Sequence, residues 1–413
     1  MEKGGRKLNK AVIVTKSTNF EPRAEIVGEY LESQGVDVTY IYSDYSHRQK
    51  KYIERKEAGH IYVETYPYKK NLSWQRMWSQ VDFSRKVGKL LQGMDYDLLY
   101  VLIPGNVLVP MAVKAAEEQR KKSGSPVKLV IDIIDLWPES LRLGKLENIW
   151  PVSIWKGLRD RNLDKADLII TECDLYREKL GLNPEKSVTM YWGKKDISAE
   201  WEKQEEVSYQ KPVTEFDGKN AEDQQGVLQL AYLGAINNII DIDGIVKLLK
   251  KLNREKPVLL QVIGDGENRE NFLQALKEAG ISYEYHGAIF DEVEKHKILK
   301  KCSYGLNMMK PGVCVGMTMK SIDYWSHGLP IINNIPGDTW RLCEEVGMGV
   351  NITEKQINEY RNGVSDWQNG IDIFQNIVRN QNNLSPVRSI FKTLFTESAM
   401  SNVIQYYVLS CNK

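Results

Sequence analysis

Short apolar, β-branched runs alternate with helix-length amphipathic stretches along nearly the whole chain. In the first half the strand candidates lie at 11–15, 36–42, 60–64, 98–103, 128–134, 168–171 and 187–191. Segments such as 23–34 and 107–121 between them carry helical periodicity. Several of the runs are almost continuous in Val, Ile and Leu, the pattern of a strand covered on both faces. Alternating β and α elements predict a doubly wound parallel sheet. Residues 196–226 break the pattern, being rich in Glu, Lys, Gln, Asp and Asn, and read as a linker or exposed loop. The alternation then restarts, with strands at 228–233, 258–263, 282–285, 303–308 and 330–333.

A chain of 413 residues has room for two such domains. The expected division is a first Rossmann-like domain at 1–195, the linker at 196–226, a second Rossmann-like domain at 227–385, and tail helices at 386–413. The fold class is α/β, with two Rossmann-like domains expected to face each other across a cleft. The carboxyl ends of the strands would line it, where ligands bind in such sheets.

Composition narrows the function classes. The net charge of +1 argues against a general nucleic-acid binder, so no nucleic-acid partner is expected. The five cysteines are scattered and form no CxxC pair, which fits neither a disulfide framework nor a zinc site. The N-terminal segment has no signal-peptide core, and the most apolar stretch, 98–113, is interrupted by Pro104, Gly105, Asn106 and Pro110. The expected location is cytoplasmic, with the inner face of the plasma membrane as a place to dock.

The most informative segment is 312–334, GVCVGMTMKSIDYWSHGLPIINN. A glycine-bearing loop ends at Gly316, a helix starts near Thr318 and stops at Gly328, and Pro330 opens the next strand. The N–H groups at the start of a helix suit a diphosphate. Lys320 lies in the first turn, and Asp323 follows on nearly the same face, placed to accept from ribose hydroxyls. An ordinary loop, helix and strand with a surface Lys and Asp would read the same way.

The run from Lys320 through Asp323, Tyr324 and Gly328 to Pro330 resembles the K-L-x-E-Y-x-x-x-G-x-P segment of the GT-B glycosyltransferases of family four. So do Tyr232-Leu-Gly234, Val262-Ile-Gly264-Asp265-Gly266 and Tyr285-His-Gly287, in that order. Residues 132–139, DIIDLWPE, are similar to a segment of the polysaccharide-assembly members. The resemblance implies a sugar-nucleotide site around Gly234, Gly264, Asp265, Gly266, Gly316, Thr318, Lys320 and Asp323, and Asn237 and Asn238, in the turn after Gly234, could add neutral donors to the phosphates. It implies transfer of a sugar from a nucleotide carrier, expected to be UDP, with retention at the anomeric carbon and no obligatory metal or cofactor. The acceptor would be a glycan or lipid-linked glycan of cell-surface polysaccharide synthesis. The chain departs from the family at several positions. Asp323 stands where the family has Glu, Val315 stands at the partner position, and Ala235 and Ile240 stand where it has phosphate-binding Arg and Lys.

On the first domain, the loop 17–23 follows the first strand and offers Asn19 and Arg23 to an acceptor or to the donor phosphate. Asp135, Trp137 and Glu139 follow the strand at 128–134. A Trp face packs on sugar C–H groups, and Asp135 or Glu139 could act as the acceptor base. A capped helix start explains the same residues. The DxD spellings at 95–97 and 241–243 are frequent by chance and are not read as metal sites. Residues 66–89 carry six basic residues against one acid, with Trp74 and Trp78 on one helical face. That helix could dock on an anionic membrane or pack its Trp face on its own domain. Two other functions remain open: a nucleotide-sugar 2-epimerase, and a catalytically silent GT-B partner subunit.

Overall fold

The computed structural model describes residues 8–47, 49–54, 57–70, 73–103, 105–140, 150–198, 226–358 and 385–410. The chain divides into two compact units, Met1–Gly193 with Glu397–Lys413, and Lys194–Thr396. Most of the predicted linker, from 199 to 225, lies outside the described residues.

The first unit holds β1 (Lys10–Thr15), α1 (Glu21–Ser33), β2 (Asp37–Ser43), β3 (His60–Val63), α2 (Trp74–Gln92), β4 (Leu98–Ile103), α3 (Leu108–Ser123), β5 (Lys128–Ile133), α4 (Trp150–Asp160), β6 (Leu168–Thr171), α5 (Asp174–Leu180) and β7 (Ser187–Thr189). Its sheet runs β3-β2-β1-β4-β5-β6-β7, with every pairing parallel. β4 is buried at all six positions, which is why it reads as an unbroken apolar run.

The second unit holds β8 (Leu228–Leu233), α6 (Ile242–Glu255), β9 (Val258–Ile263), α7 (Arg269–Glu278), β10 (Ser282–Gly287), α8 (Glu292–Leu299), β11 (Tyr304–Asn307), α9 (Met319–Ser326), β12 (Ile331–Asn333), α10 (Asp338–Val346), β13 (Gly349–Asn351), α11 (Glu354–Asn358) and α12 (Ser385–Leu394). Its sheet runs β10-β9-β8-β11-β12-β13, again all parallel. Ile245, Leu248, Leu249 and Leu252 bury one face of α6 against this sheet, and Asp241 caps the helix by accepting from the Gly244 N–H at 3.0 Å.

Both sheets follow the order in which the chain reverses direction beside its first strand. That creates a crevice at the strand ends between β1 and β4, and another between β8 and β11. The predicted tail divides between the units. α12 packs on α9, while α13 (Glu397–Val403) packs on α1. No helix among the described residues is long and apolar enough to cross a membrane. The four described cysteines are buried and form no disulfide.

Candidate functional site

In the second unit the crevice between β8 and β11 is wedged open by one residue. β8 and β11 pair only at Leu230 with Tyr304 and Ala231 with Gly305. The Tyr324 hydroxyl, reaching in from α9, accepts from the Leu233 N–H at 2.6 Å and lies 3.1 and 3.3 Å from the Ala231 and Leu306 carbonyls. Backbone groups that the diverging strands would orphan are thus satisfied by a phenol. The ring needs space that only glycine leaves, because a Cβ at Gly305 would meet it at 2.5 Å.

Two loops close over this point. The Gly234 N–H donates to the Ile263 carbonyl at 2.8 Å, and the Ile236 N–H to the Asp265 carbonyl at 2.9 Å. Gly264 sits at φ +148°, and a Cβ there would lie 1.9 Å from the Gly234 carbonyl oxygen. The glycines therefore serve the approach of one loop to the other. Asp265 is exposed, accepts from the Gly266 N–H at 2.8 Å and lies 3.3 Å from Arg269. The Asn237 side-chain amide oxygen, Oδ1, accepts from the Ile239 N–H at 3.1 Å.

α9 is set by its cap. Thr318 Oγ1 accepts from the Ser321 N–H at 3.0 Å and lies within a buried polar set with Asn307 and Ser321. The Gly316 carbonyl accepts from both the N–H and the hydroxyl of Thr339, at 2.9 and 2.7 Å. Thr318 and Gly316 thus hold the loop and the helix start, and Lys320 is the group presented beyond them. Its ammonium lies 4.1 Å over the Tyr232 ring, and its chain passes 3.5 Å from the position a Gly234 Cβ would take. It makes no ion pair among the described residues, and desolvation pushes its pKa down to about 7.

Asp323, one turn on, is already engaged. Lys194 contacts its carboxylate, and the Lys295 ammonium lies 3.2 Å away. The same two ammonium groups bind Glu292 at 3.0 and 2.9 Å, and His327 stands 3.2 Å from Glu292. Burial would raise the Glu292 carboxyl, yet His327, Lys295 and Lys194 together hold it well below the usual carboxylate range. Glu292, Asp323 and His327 lie close enough to share a metal ion. Lys194 and Lys295 each contact both carboxylates of that group.

In the first unit Arg23 is buried completely. It grips Asp132 at 2.8 and 3.1 Å and donates to the Met190 and Tyr191 carbonyls. Its guanidinium is spent inside the core of its own unit. Asn19 lies in a short turn at Thr18–Phe20. Glu139 is held bidentately by Arg159 at 2.7 and 3.1 Å, with Lys156 at 3.1 Å. Burial works to raise its pKa, but these cations outweigh it and leave the carboxylate below its ordinary value, a weak base. Asp135 differs, since burial holds its carboxyl above the ordinary range despite the Ser140 hydroxyl it accepts from. The Trp137 ring carries the Arg76 guanidinium at 3.9 Å.

Asp135 also lines a cavity of about 220 Å³ together with Ser17 and Phe20 of the loop after β1, and with Lys16, His47, Tyr68 and Arg76, which the sequence did not single out for a site. The place of Lys16, directly after β1 and beside that loop, is the signal that could have found it. Three of the four DxD acids have structural partners. The Asp97 carboxylate accepts from the Asn9 and Lys10 N–H groups, Asp95 pairs with Lys10, and Asp241 is the cap described above.

No protein-family model matches the chain, and no curated protein matches it in sequence. Solved structures match almost end to end. The lipopolysaccharide outer core galactosyltransferase WaaB in its apo form aligns at TM-score 0.61 and 13% identity, over 97% of this chain and 99% of that one. HepE of Anabaena, solved in complex with UDP and glucose, aligns at 0.60 and 12%, over 97% and 99%. Sucrose-phosphate synthase from Thermosynechococcus elongatus aligns at 0.61 and 12%, over 97% and 98%. At such identities the likeness is one of fold, and the chain has the GT-B fold.

Proposed function

We propose that this chain is a glycosyltransferase that moves a sugar from a nucleoside diphosphate, UDP in the first instance, to a glycan or lipid-linked acceptor. The observation that carries the reading is Lys320. An ammonium without an ion pair among the described residues is held over Tyr232 in the first turn of α9, beside Gly234 at the end of β8. A desolvated cation next to a helix N-terminus is arranged for a diphosphate, and its charge would stabilise the departing one. The UDP and glucose found with HepE accord with that chemistry. The motif order supports family four, and with it retention, no obligatory metal and a role in polysaccharide assembly. Asp323 would then share its carboxylate between ribose and its two lysines. Asp135, whose carboxyl is raised by burial, is the better placed of the two candidate bases.

A second reading has one observation in its favour. Asp323 is neutralised by Lys194 and Lys295, and Ala235 and Ile240 stand where the family carries cations. A GT-B subunit that binds another transferase without turning over would look like this. Calorimetry with UDP, UDP-glucose and GDP separates the two. The enzyme reading expects saturable UDP binding that Lys320→Met weakens by about 10–100-fold. Absence of binding to all three, in a folded protein, would overturn it and leave the silent subunit.

A further inference from the structure

The cavity of the first unit lies at its own crevice, where Thr15 ends β1 and Leu102 lies near the end of β4. Three cations gather there round one phenol. The Lys16 and Lys50 ammonium groups lie 5.2 and 4.7 Å from the Tyr68 ring centre, and the Arg76 guanidinium lies 5.9 Å from it. His47 adds a fourth nitrogen base, with Nδ1 2.6 Å from the Tyr68 hydroxyl and 3.4 Å from the Lys50 ammonium.

The acids nearby offset these cations only in part, Asp135 acting on Arg76 and Asp82 and Asp44 on Lys16, and each has a further partner. The Asp135 carboxylate takes the Ser140 hydroxyl, Asp82 pairs with Lys86 at 3.0 Å, and Asp44 accepts from the Thr65 N–H at 3.2 Å. The cations accordingly suppress one another. Burial and then the charge of Arg76 bring Lys16 down to about 7, with Asp82 and Asp44 offsetting only part of the loss. Burial and then Arg76, Lys50 and Lys16 bring His47 down to about 4. Like charges crowded into a concave, partly desolvated site destabilise the empty state and are relieved by an anion. Lysine offers such an anion a point charge and arginine a planar fork. The volume admits an anionic group and part of the sugar that carries it, and is below the usual range for a whole nucleotide-sized ligand.

We propose that this cavity binds an oxyanion of the acceptor, a phosphate or a carboxylate, with Lys16 and Arg76 as its recognition groups. The word acceptor rests on the glycosyltransferase reading, whereas the oxyanion site rests on the cavity alone. Asp135 on the same wall would then lie close to the acceptor it is proposed to deprotonate.

The test is calorimetry on the full-length protein saturated with UDP, so that the second unit's site is filled. Pyrophosphate and glucuronate are the probes, and glucose is the neutral control. One of the two anions should bind saturably, and Lys16→Met should weaken it by about tenfold or more. Lys320→Met should leave it unchanged. Lys16→Met removes a charge from a repulsive cluster, so the variant should fold at least as well. Three results would overturn the proposal: no saturable binding of either anion, binding indifferent to Lys16→Met, or a comparable loss of UDP affinity in Lys16→Met. The last would place the donor's diphosphate in the cavity. If UDP itself fails to bind, the same titration on the free protein still decides the cavity. Anion binding that depends on Lys16 would uphold the oxyanion site while the nucleotide reading falls.

Discussion

Lys320 titrates in a range where its charge can be tested directly. Its pKa of about 7 against an ordinary 10.5 means that the folded chain holds fewer protons than the unfolded chain between those values. Stability attributable to this residue should therefore rise with pH across that window, from a full cost below pH 7 to none above 10.5. Lys320→Met should flatten this rise and raise Tm by at least about 2 °C at pH 6.5. A bound diphosphate reverses the balance by favouring the ammonium. UDP should bind most tightly below pH 7 and weaken as pH rises, with proton uptake visible as a dependence of binding enthalpy on the buffer. A pH-independent UDP affinity from 6 to 9 would remove Lys320 from the phosphate site. Arg23 stands as the contrasting residue. The sequence offers it to an acceptor or to the donor phosphate, yet it is buried against Asp132, a partner 109 positions away. No local pattern encodes such a pairing.

At the level of elements, what the sequence made legible follows from how parallel sheets bury their strands. β4, β6, β8 and β9 were readable to the residue because both faces of these strands are covered and their runs are almost entirely apolar, Gln229, Gln261 and Thr171 apart. The start of α9 was readable from Thr318 and its end from Gly328, which takes φ +76°. The role of Tyr324 was not, because the gap it fills exists only once β8 and β11 diverge. Nor was the gathering of cations in the first unit's cavity, where Lys16 follows β1, His47 and Lys50 follow β2, Tyr68 follows β3 and Arg76 lies on α2, so that they meet only through the sheet order. α2 left two readings open, and the structure separates them in part. Trp74 and Trp78 are 72% and 58% exposed, so this pair is not packed into the core of its own unit. Arg85 lies 5.7 Å over the Trp78 ring, and Lys86 and Lys89 follow on the same helix. Aromatic side chains beside cations suit the headgroup layer of an anionic bilayer. Vesicles containing phosphatidylglycerol should co-sediment the protein, neutral phosphatidylcholine vesicles should not, and Trp74→Ser with Trp78→Ser should abolish the binding. Equal sedimentation of the double variant would assign the Trp pair to another partner.

Across the whole molecule one strand order is used twice, β3-β2-β1-β4-β5-β6 and β10-β9-β8-β11-β12-β13, and each crevice receives a buried or half-buried lysine just where its sheet splits. The chain passes between the units twice, at Gly193 and at Thr396, so the first unit is completed by residues that follow the whole of the second. Met400, Ile404 and Val408 are buried there, and the Lys128 ammonium donates to the Tyr407 and Val408 carbonyls at 2.6 and 2.9 Å. Burying three such side chains contributes about 5 kcal/mol. A chain ending at Thr396 should therefore keep the second unit's core and its UDP affinity within about threefold, because Lys320, Tyr232 and Gly234 all lie in that unit. It should lose stability in the first unit, seen as an earlier thermal transition and as binding of a hydrophobic dye to the uncovered face. An unchanged melting profile would show that the tail adds nothing to the first unit. Loss of UDP binding with the second unit still folded would mean that the nucleotide site draws on the first unit, and Lys16 would then be the first residue to examine for that contact.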